Sequence, residues 1–287
     1  MIYHFLLIIF WCLSSLPQWL LRGFGAVLGY LLYIAVKSRR KIGLANLKLC
    51  FPEWATGQHE AILRQHYREF CTCIFLYSKL WFGTQAQIEK LVRREGLEHF
   101  SEVEDQNIIL LAPHFLGLDF GGTRHMVDHR GATMYSSAHD NAFDLLLLRG
   151  RRRFNEPLLV KRSEGIRGIL RAIKQGVCFY YLPDQDLGPR ESVFVPFFGI
   201  QTATVPGLSR LSAMGKARVV PVITTLEKNG FVCRYYPAWE NFPSDDVMAD
   251  TARMNAFIEE RVREHPSQYY WLHRRFKTRP EGEASLY

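Results

Sequence analysis

Three short runs rich in apolar residues constrain the fold of this 287-residue chain more than any other feature. They read NIILLA at 107–112, VCFYYL at 177–182 and RVVPVITT at 218–225. Apolar runs of this length, without alternation, are typical of strands covered on both faces of a sheet. Stretches with helical periodicity separate them. The sequence therefore predicts an α/β fold, with a central mixed β-sheet flanked by helices.

The remaining elements follow from hydrophobic periodicity and from turn residues. Further strands are predicted at 132–136 and 231–236. Helices are predicted at 58–81, 85–94, from the turn after His114 through about 127, and at 142–153, 165–174, 205–214 and 246–264. No internal repeat and no linker rich in Pro, Gly or Ser divides these elements, which indicates a single domain.

The N-terminal segment, residues 2–36, is strongly apolar, although Pro17 and Arg22 interrupt it. No basic residue precedes it and no small-residue cleavage site follows it, unlike a cleaved secretory signal. Basic residues follow within 37–41, and such a flank is typically retained on the cytoplasmic side. We expect residues 1–41 to be an uncleaved membrane anchor ahead of a catalytic domain at 42–287. The sequence leaves three arrangements of this segment open: a single membrane span, a bent helix in the membrane interface, or a buried core helix.

The net charge of +8 favours an anionic partner. Nucleic-acid-binding proteins usually interleave basic and aromatic residues on one face or contain a known module. Here the basic clusters fall at predicted strand ends and loops, behind an apolar leader, so we expect an anionic membrane and no nucleic acid. The six cysteines are scattered through apolar stretches without zinc-binding spacing, which predicts reduced core thiols.

A histidine and an aspartate follow the first apolar run. His114 comes directly after the predicted strand and Asp119 lies five positions later. Ligand sites in open α/β sheets lie at the carboxyl ends of strands. From the first turn of the next helix, Asp119 could accept the Nδ1 hydrogen of His114 and leave Nε2 free as a general base. No G-x-S-x-G elbow and no convincing set of metal ligands accompanies this pair, so we expect no metal and no cofactor.

This segment resembles the H-x-x-x-x-D/E motif of the lysophospholipid acyltransferase superfamily. The whole chain is similar to the bacterial lipid A biosynthesis acyltransferases, the lauroyl type in particular. Three stretches carry the resemblance: YLPDQDLGPR at 181–190, SVFVPFFG at 192–199 and YWLHRRFKTRP at 270–280. Pro113 replaces the Asn that usually precedes the motif histidine in glycerolipid relatives, which disfavours a glycerol-phosphate acceptor.

The resemblance implies an acyl transfer reaction at the cytoplasmic face of the bacterial inner membrane. A hydroxyl on an acyl chain of a Kdo-modified lipid A precursor (lipid IVA) would attack a thioester on acyl carrier protein. His114 would remove the hydroxyl proton, and Asp119 would support the resulting imidazolium. A hydrolase that uses the same pair to activate water is the alternative enzyme.

The resemblance also implies which side chains bind substrate. We expect one arginine of the basic cluster 149–162 to act in the active site. The alternative is that these arginines form a solvated basic surface. The acidic loop 184–186 is expected to border the site, and the Phe-rich run 194–198 to wall an acyl channel or simply to pack in the core. The expected substrate-binding residues are Arg151, Arg162, Asp184, Asp186, Arg190 and Phe197.

Overall fold

The computed structural model describes residues 1–135 and 141–287. Within these residues the strands are β1 Val92–Glu95, β2 Asn107–Leu111, β3 Gly131–Tyr135, β4 Leu158–Lys161, β5 Cys178–Tyr181, β6 Val193–Phe197, β7 Ile200–Thr204, β8 Ala217–Glu227 and β9 Gly230–Tyr235. Seven of them form one sheet in the order β1-β9-β8-β2-β5-β3-β4, while β6 and β7 form a separate antiparallel pair. Only β8 and β9 pair antiparallel in the large sheet, which confirms the mixed α/β fold.

The α-helices cover both faces of this sheet. They are α1 Ile2–Ser14, α2 Gln18–Ala35, α3 Lys37–Cys50, α4 Thr56–Phe82, α5 Gln85–Leu91, α6 Glu98–Ser101, α7 Leu118–Asp128, α8 Ala142–Arg151, α9 Arg167–Lys174, α10 Gly207–Gly215 and α11 Val247–Glu264. Alternate residues of β2 belong to opposite halves of the core: Ile109 and Leu111 to one, Ile108 and Leu110 to the other. The fully apolar run therefore forms a strand buried on both faces, as predicted.

One sequence prediction was wrong at the edge of the sheet. The helix expected at 85–94 ends at Leu91, and the chain continues as β1, which pairs parallel with β9. Glu95 accepts a 2.7 Å hydrogen bond from Nη2 of Arg234 on β9, across the strand pair. A partner more than 130 residues away thus overrides the local helical pattern. In the strand predicted at 132–136, Ser136 lies outside the described residues.

The first two helices pack against α4 at very short range. A Cβ atom on Gly25 would lie 2.5 Å from Cα of Thr72, and one on Gly29 would lie 2.5 Å from the carbonyl oxygen of Tyr67. The backbones of α2 and α4 can therefore meet only because both positions are glycine. The expected boundary between residues 41 and 42 falls inside α3.

The opposite side of α1 and α2 is exposed and apolar. Its exposed large side chains are Ile2, Phe5, Ile8, Trp11, Trp19, Phe24, Val27, Tyr30, Leu31 and Ile34. Among the described residues, none of the helices is by itself both long and apolar enough to cross a bilayer. Helices α2 and α3 reach that length and apolarity only together, and they are bent by 93° relative to each other.

Candidate active site

His114 lies just beyond the carboxyl end of β2, beside the loop that follows the neighbouring strand β5. Its Nδ1 atom is 2.7 Å from Oδ1 of Asp184, and its backbone N–H donates to Oδ2 of the same carboxylate at 3.0 Å. The Asp184 side chain is 1% exposed, whereas that of His114 is 20% exposed. One buried carboxylate therefore holds both the ring and the backbone of a histidine that solvent and ligands can reach.

The environment of Asp184 keeps its carboxyl group ionised. Burial alone would raise the pKa of Asp184, but the charge of His114, the two hydrogen bonds from that residue and the charge of Arg275 lower it below its usual value. A carboxylate can only accept at Nδ1, so the proton of a neutral imidazole sits there and Nε2 carries the free lone pair. This is the tautomer that a general base requires.

Asp119 does not make the contact to Nδ1 that the sequence suggested. Its Oδ1 accepts from Nε of Arg151 at 2.8 Å and lies 2.7 Å from Nη2 of the same ion pair, and its Oδ2 accepts from the hydroxyl of Tyr77 at 2.7 Å. Asp119 occupies the first turn of α7, where a Cβ on Gly117 would come within 2.5 Å of the Thr224 carbonyl oxygen. This close packing on β8 turns Asp119 toward α4 and α8, away from the imidazole.

Arg151 is held in its charged form beside the site. Burial alone would lower the pKa of its guanidinium, but the carboxylate of Asp119 raises it above the ordinary value. The hydrogen bond from Nε and the ion-pair contact at Nη2 hold one side of the guanidinium group against Asp119 and fix its orientation. A half-buried, oriented and charged donor group thus lies near His114.

The C-terminal segment 267–273 supports the His114 loop from behind. The backbone N–H of Tyr270 donates to the carbonyl of His114 at 2.9 Å, and that of Leu116 donates to the carbonyl of Gln268 at 2.9 Å. The Gln268 side chain in turn bonds both N–H and C=O of Leu226 at 2.7 and 2.9 Å. Sequence reasoning gave this segment no role in the site, although the long match at 270–280 was a signal that it had one.

Two cavities meet at the imidazole. The larger has a volume of about 730 Å³ and lies between α8, α10 and the loop after β5. The smaller has a volume of about 230 Å³, and Phe70, Cys73 and Ile74 of α4 form much of its wall. Three residues line both cavities: His114, Arg151 and Leu182. His114 and Arg151 therefore lie at the junction of the two cavities, where a ligand in one cavity would contact a ligand in the other.

The other predicted binding residues divide into two groups. Arg162 and Arg190 line the larger cavity, where Nη2 of Arg162 is 2.7 Å from the carboxylate of Glu191. Asp186 and Phe197 line neither cavity. Asp186 accepts from N–H and Oγ1 of Thr278, both at 2.8 Å, and so pins the C-terminal segment. Phe197 is 1% exposed and packs among aromatic rings in the core, as the alternative interpretation held.

Throughout residues 1–135 and 141–287, His, Cys, Asp and Glu side chains form no cluster of three or more that could bind a metal ion. The chemistry that the described residues can support directly is proton transfer at Nε2 of His114 and charge stabilisation by Arg151.

Residues 1–278 match the family model described as bacterial lipid A biosynthesis acyltransferase. The chain is 33% identical to the lipid A biosynthesis lauroyltransferase of Escherichia coli K12, over 97% of this chain and 92% of that one. It is 31% identical to the palmitoleoyltransferase of the same organism over the same shares, and 32% identical to its myristoyltransferase over 88% and 79%. A solved 1-acyl-sn-glycerophosphate acyltransferase from Thermotoga maritima aligns with a TM-score of 0.37 at 14% identity, over 86% of this chain and 96% of that one.

Proposed function

Because the chain belongs to the bacterial lipid A biosynthesis acyltransferase family, and is an acyltransferase, we propose that it transfers a fatty acyl group from acyl carrier protein to a hydroxyl on an acyl chain of a Kdo-modified lipid A precursor (lipid IVA). The observation that carries this proposal is the position of His114. Its imidazole is oriented by a buried carboxylate at the point where two cavities meet. One cavity for each substrate would bring the hydroxyl and the thioester together beside the base.

In the proposed reaction, Nε2 of His114 takes the proton of the acceptor hydroxyl as its oxygen attacks the thioester carbonyl. The tetrahedral intermediate collapses with cleavage of the carbon–sulfur bond, and the imidazolium returns the proton to the departing sulfur. Asp184 stabilises the imidazolium through Nδ1. We therefore assign to Asp184 the role that the sequence suggested for Asp119.

Arg151 supplies the charge stabilisation in this scheme. The thioester oxygen becomes negative in the tetrahedral intermediate, and a fixed cation in a water-poor site stabilises that charge strongly. Since Asp119 engages Nε and Nη2, Nη1 of Arg151 remains to donate to the oxyanion. Asp119 and Tyr77 then position Arg151, and both also line the smaller cavity.

The smaller cavity suits the acyl chain of the donor. Most of the residues that line it are apolar or aromatic, and it begins beside His114 and runs along α4. A chain that enters it would place its carbonyl carbon near Nε2 and Arg151. The floor of this cavity would then limit the length of acyl group that the enzyme accepts.

The N-terminal helices suit attachment to an anionic inner membrane. Helices α1 and α2 turn ten large apolar side chains away from the body of the protein, and basic residues follow at 37–41. Such a surface enters the headgroup region with its apolar face, while lysine and arginine contact anionic lipid. We retain residues 1–41 as the membrane-attaching part and 42–287 as the catalytic part, facing the cytoplasm.

Mass spectrometry of the lipid product tests the proposal. Membranes containing the wild-type chain, His114→Ala or His99→Ala would be incubated with the Kdo-modified precursor and a series of acyl carrier protein thioesters. His99 is half-buried on α6 and lines neither cavity, so its replacement is a matched control. We expect a mass gain of one acyl chain with wild type and control and none with His114→Ala. Free fatty acid without any lipid product would support the hydrolase instead.

A further inference from the structure

Arginines dominate the charged lining of the larger cavity. Its charged side chains, His114 apart, are Arg151, Arg162, Arg190, Arg210, Asp144 and Glu191. Arg151 is committed to Asp119, and Arg162 is paired with Glu191. Within the described part of the chain, Arg190 and Arg210 make no ion pair with any carboxylate. Two guanidinium groups therefore line a ligand-sized space without an ion pair to any carboxylate of the described residues.

The two unpaired arginines come from separate elements of the fold. Arg190 lies in the 3₁₀ turn Pro189–Glu191, and Arg210 lies in the middle of α10. Next to Arg210, the Ser209 hydroxyl donates to the buried Asp250 at 2.6 Å, which anchors α10 on α11. Gly207 of the same helix lies against the hydroxyl of Tyr181, at the end of β5. Arg210 thus projects from a helix that is fixed on both sides.

The rim of the same cavity is apolar. Leu145, Ile166, Leu187 and Met214 all line it, and each is between 41% and 44% exposed. Outside the N-terminal helices, Met248 is the one other large apolar side chain with comparable exposure among the described residues. Exposed apolar groups gathered around one opening indicate a ligand that is itself partly apolar. Arg190 and Arg210 are also exposed at this cavity, and exposed cations beside exposed apolar side chains together match an anionic amphiphile.

We propose that Arg190 and Arg210 form an anion subsite that binds a phosphate of the acceptor glycolipid, while the apolar rim contacts its acyl chains. This inference rests on the proposed function, because it assigns the larger cavity to the acceptor and the smaller one to the donor chain. Guanidinium groups bind phosphate through paired, charge-assisted hydrogen bonds. A phosphate held there would fix which acceptor hydroxyl reaches Nε2 of His114.

The test compares acceptors with and without phosphate. Steady-state transfer would be measured for wild type, Arg190→Ala, Arg210→Ala and Arg210→Lys, using the phosphorylated precursor and the same lipid after enzymatic dephosphorylation. Arg171→Ala is the control, because Arg171 is an exposed arginine on α9 that lines neither cavity. We expect each alanine variant to lose about 10- to 100-fold in kcat/KM for the phosphorylated acceptor, mainly through KM. For the dephosphorylated acceptor the variants should match wild type, and Lys should restore part of the loss.

Equal losses with both acceptors would overturn the inference, as would a raised KM for acyl carrier protein with an unchanged KM for the lipid. Absence of transfer by wild type would instead overturn the proposed function. The subsite would still be tested in that case by titrating the detergent-solubilised full chain with the phosphorylated lipid and following tryptophan fluorescence. Weaker binding by Arg210→Ala than by Arg171→Ala supports the subsite, and equal binding overturns it.

Discussion

The Nδ1 atom of His114 lies 2.7 Å from Oδ1 of Asp184, a residue 70 positions further along the chain. The strands that end before these two residues, β2 and β5, are parallel neighbours, with Leu111 opposite Tyr181. Each loop therefore leaves the same edge of the sheet, and one carboxylate reaches both the ring and the backbone N–H of the histidine. This relationship identifies Asp184 as the group that sets the tautomer of His114.

Replacement of Asp184 by Asn should lower kcat by about 100-fold or more, because an amide cannot stabilise the imidazolium as a carboxylate does. The measurement is single-turnover transfer at saturating donor and acceptor, with the melting temperature recorded for each variant. Asp119→Asn is the matched comparison. It leaves the contact to Nδ1 intact and acts through Arg151. In a double variant that combines Asp119→Asn with Arg151→Ala the guanidinium group is missing, so added free guanidinium should partly restore activity. Free guanidinium should not restore the activity of Asp184→Asn, which retains Arg151.

Buried His66 should make the protein less stable in acid. Burial lowers the pKa of this ring to about 4, from 6.5 in the unfolded chain, although its bond to the Ser267 carbonyl opposes the shift. Between these values the unfolded state binds more protons, so stability is complete above about pH 6.5 and falls as the pH drops toward 4. His66 contributes on the order of 3 kcal/mol to this loss. The melting temperature of His66→Leu, followed from pH 7 to 4.5, should fall less steeply than that of wild type; parallel curves would contradict this.

The two packed glycines of α2 should tolerate no side chain. Gly25→Ala and Gly29→Ala place a Cβ within 2.5 Å of the α4 backbone, and the separation that this forces should cost about 1–3 kcal/mol each. Gly23→Ala is the control on the same helix, because no atom lies within 4 Å of its Cβ position. That change should leave stability equal or slightly higher, since alanine favours a helix interior. Thermal unfolding in detergent separates the three variants, and a loss with Gly23→Ala would show that the contact is not the cause.

A larger side chain at Ile74 should shorten the acyl group that the enzyme prefers. Ile74 lines the smaller cavity, so Ile74→Trp would reduce its depth. We expect lost activity with long-chain donors and retained activity with shorter ones, measured with a series of acyl carrier protein thioesters. Phe197→Leu is the control: it is buried away from both cavities, so it should lower stability by on the order of 1 kcal/mol and leave chain preference unchanged. If Ile74→Trp left the chain-length preference unchanged, that result would contradict the assignment of the smaller cavity to the acyl chain of the donor.

The basic flank should contribute to membrane attachment. Lys37 and Lys41 are exposed at the start of α3, next to the apolar surface of α1 and α2. Replacing both with Gln should weaken binding to vesicles containing anionic lipid by about 2 kcal/mol, and less at high salt. Sedimentation with anionic and with neutral vesicles measures the effect. Equal loss on both vesicle types would point to the apolar surface instead.

Local sequence was sufficient for the sheet and for the histidine. The runs at 107–112 and 177–182 are apolar at every or nearly every position, the run at 218–225 is apolar from Val219 to Ile223, and such short runs favour buried strands. His114 follows one of those strands, so its place at the sheet edge came from the sequence. The apolar N-terminal segment and the basic residues that follow it were also identifiable from the sequence.

The partners of these residues depended on tertiary structure. Periodicity reports on neighbours a few positions apart, which is why Asp119, five residues from His114, was the carboxylate that the sequence suggested. The parallel pairing of β2 with β5 brought in Asp184 instead, and the packing of α7 on Thr224 turned Asp119 to Arg151. Pairing with β9 likewise made residues 92–95 a strand. Strand order and helix packing are decided by contacts between distant segments, because only the folded chain brings those segments together.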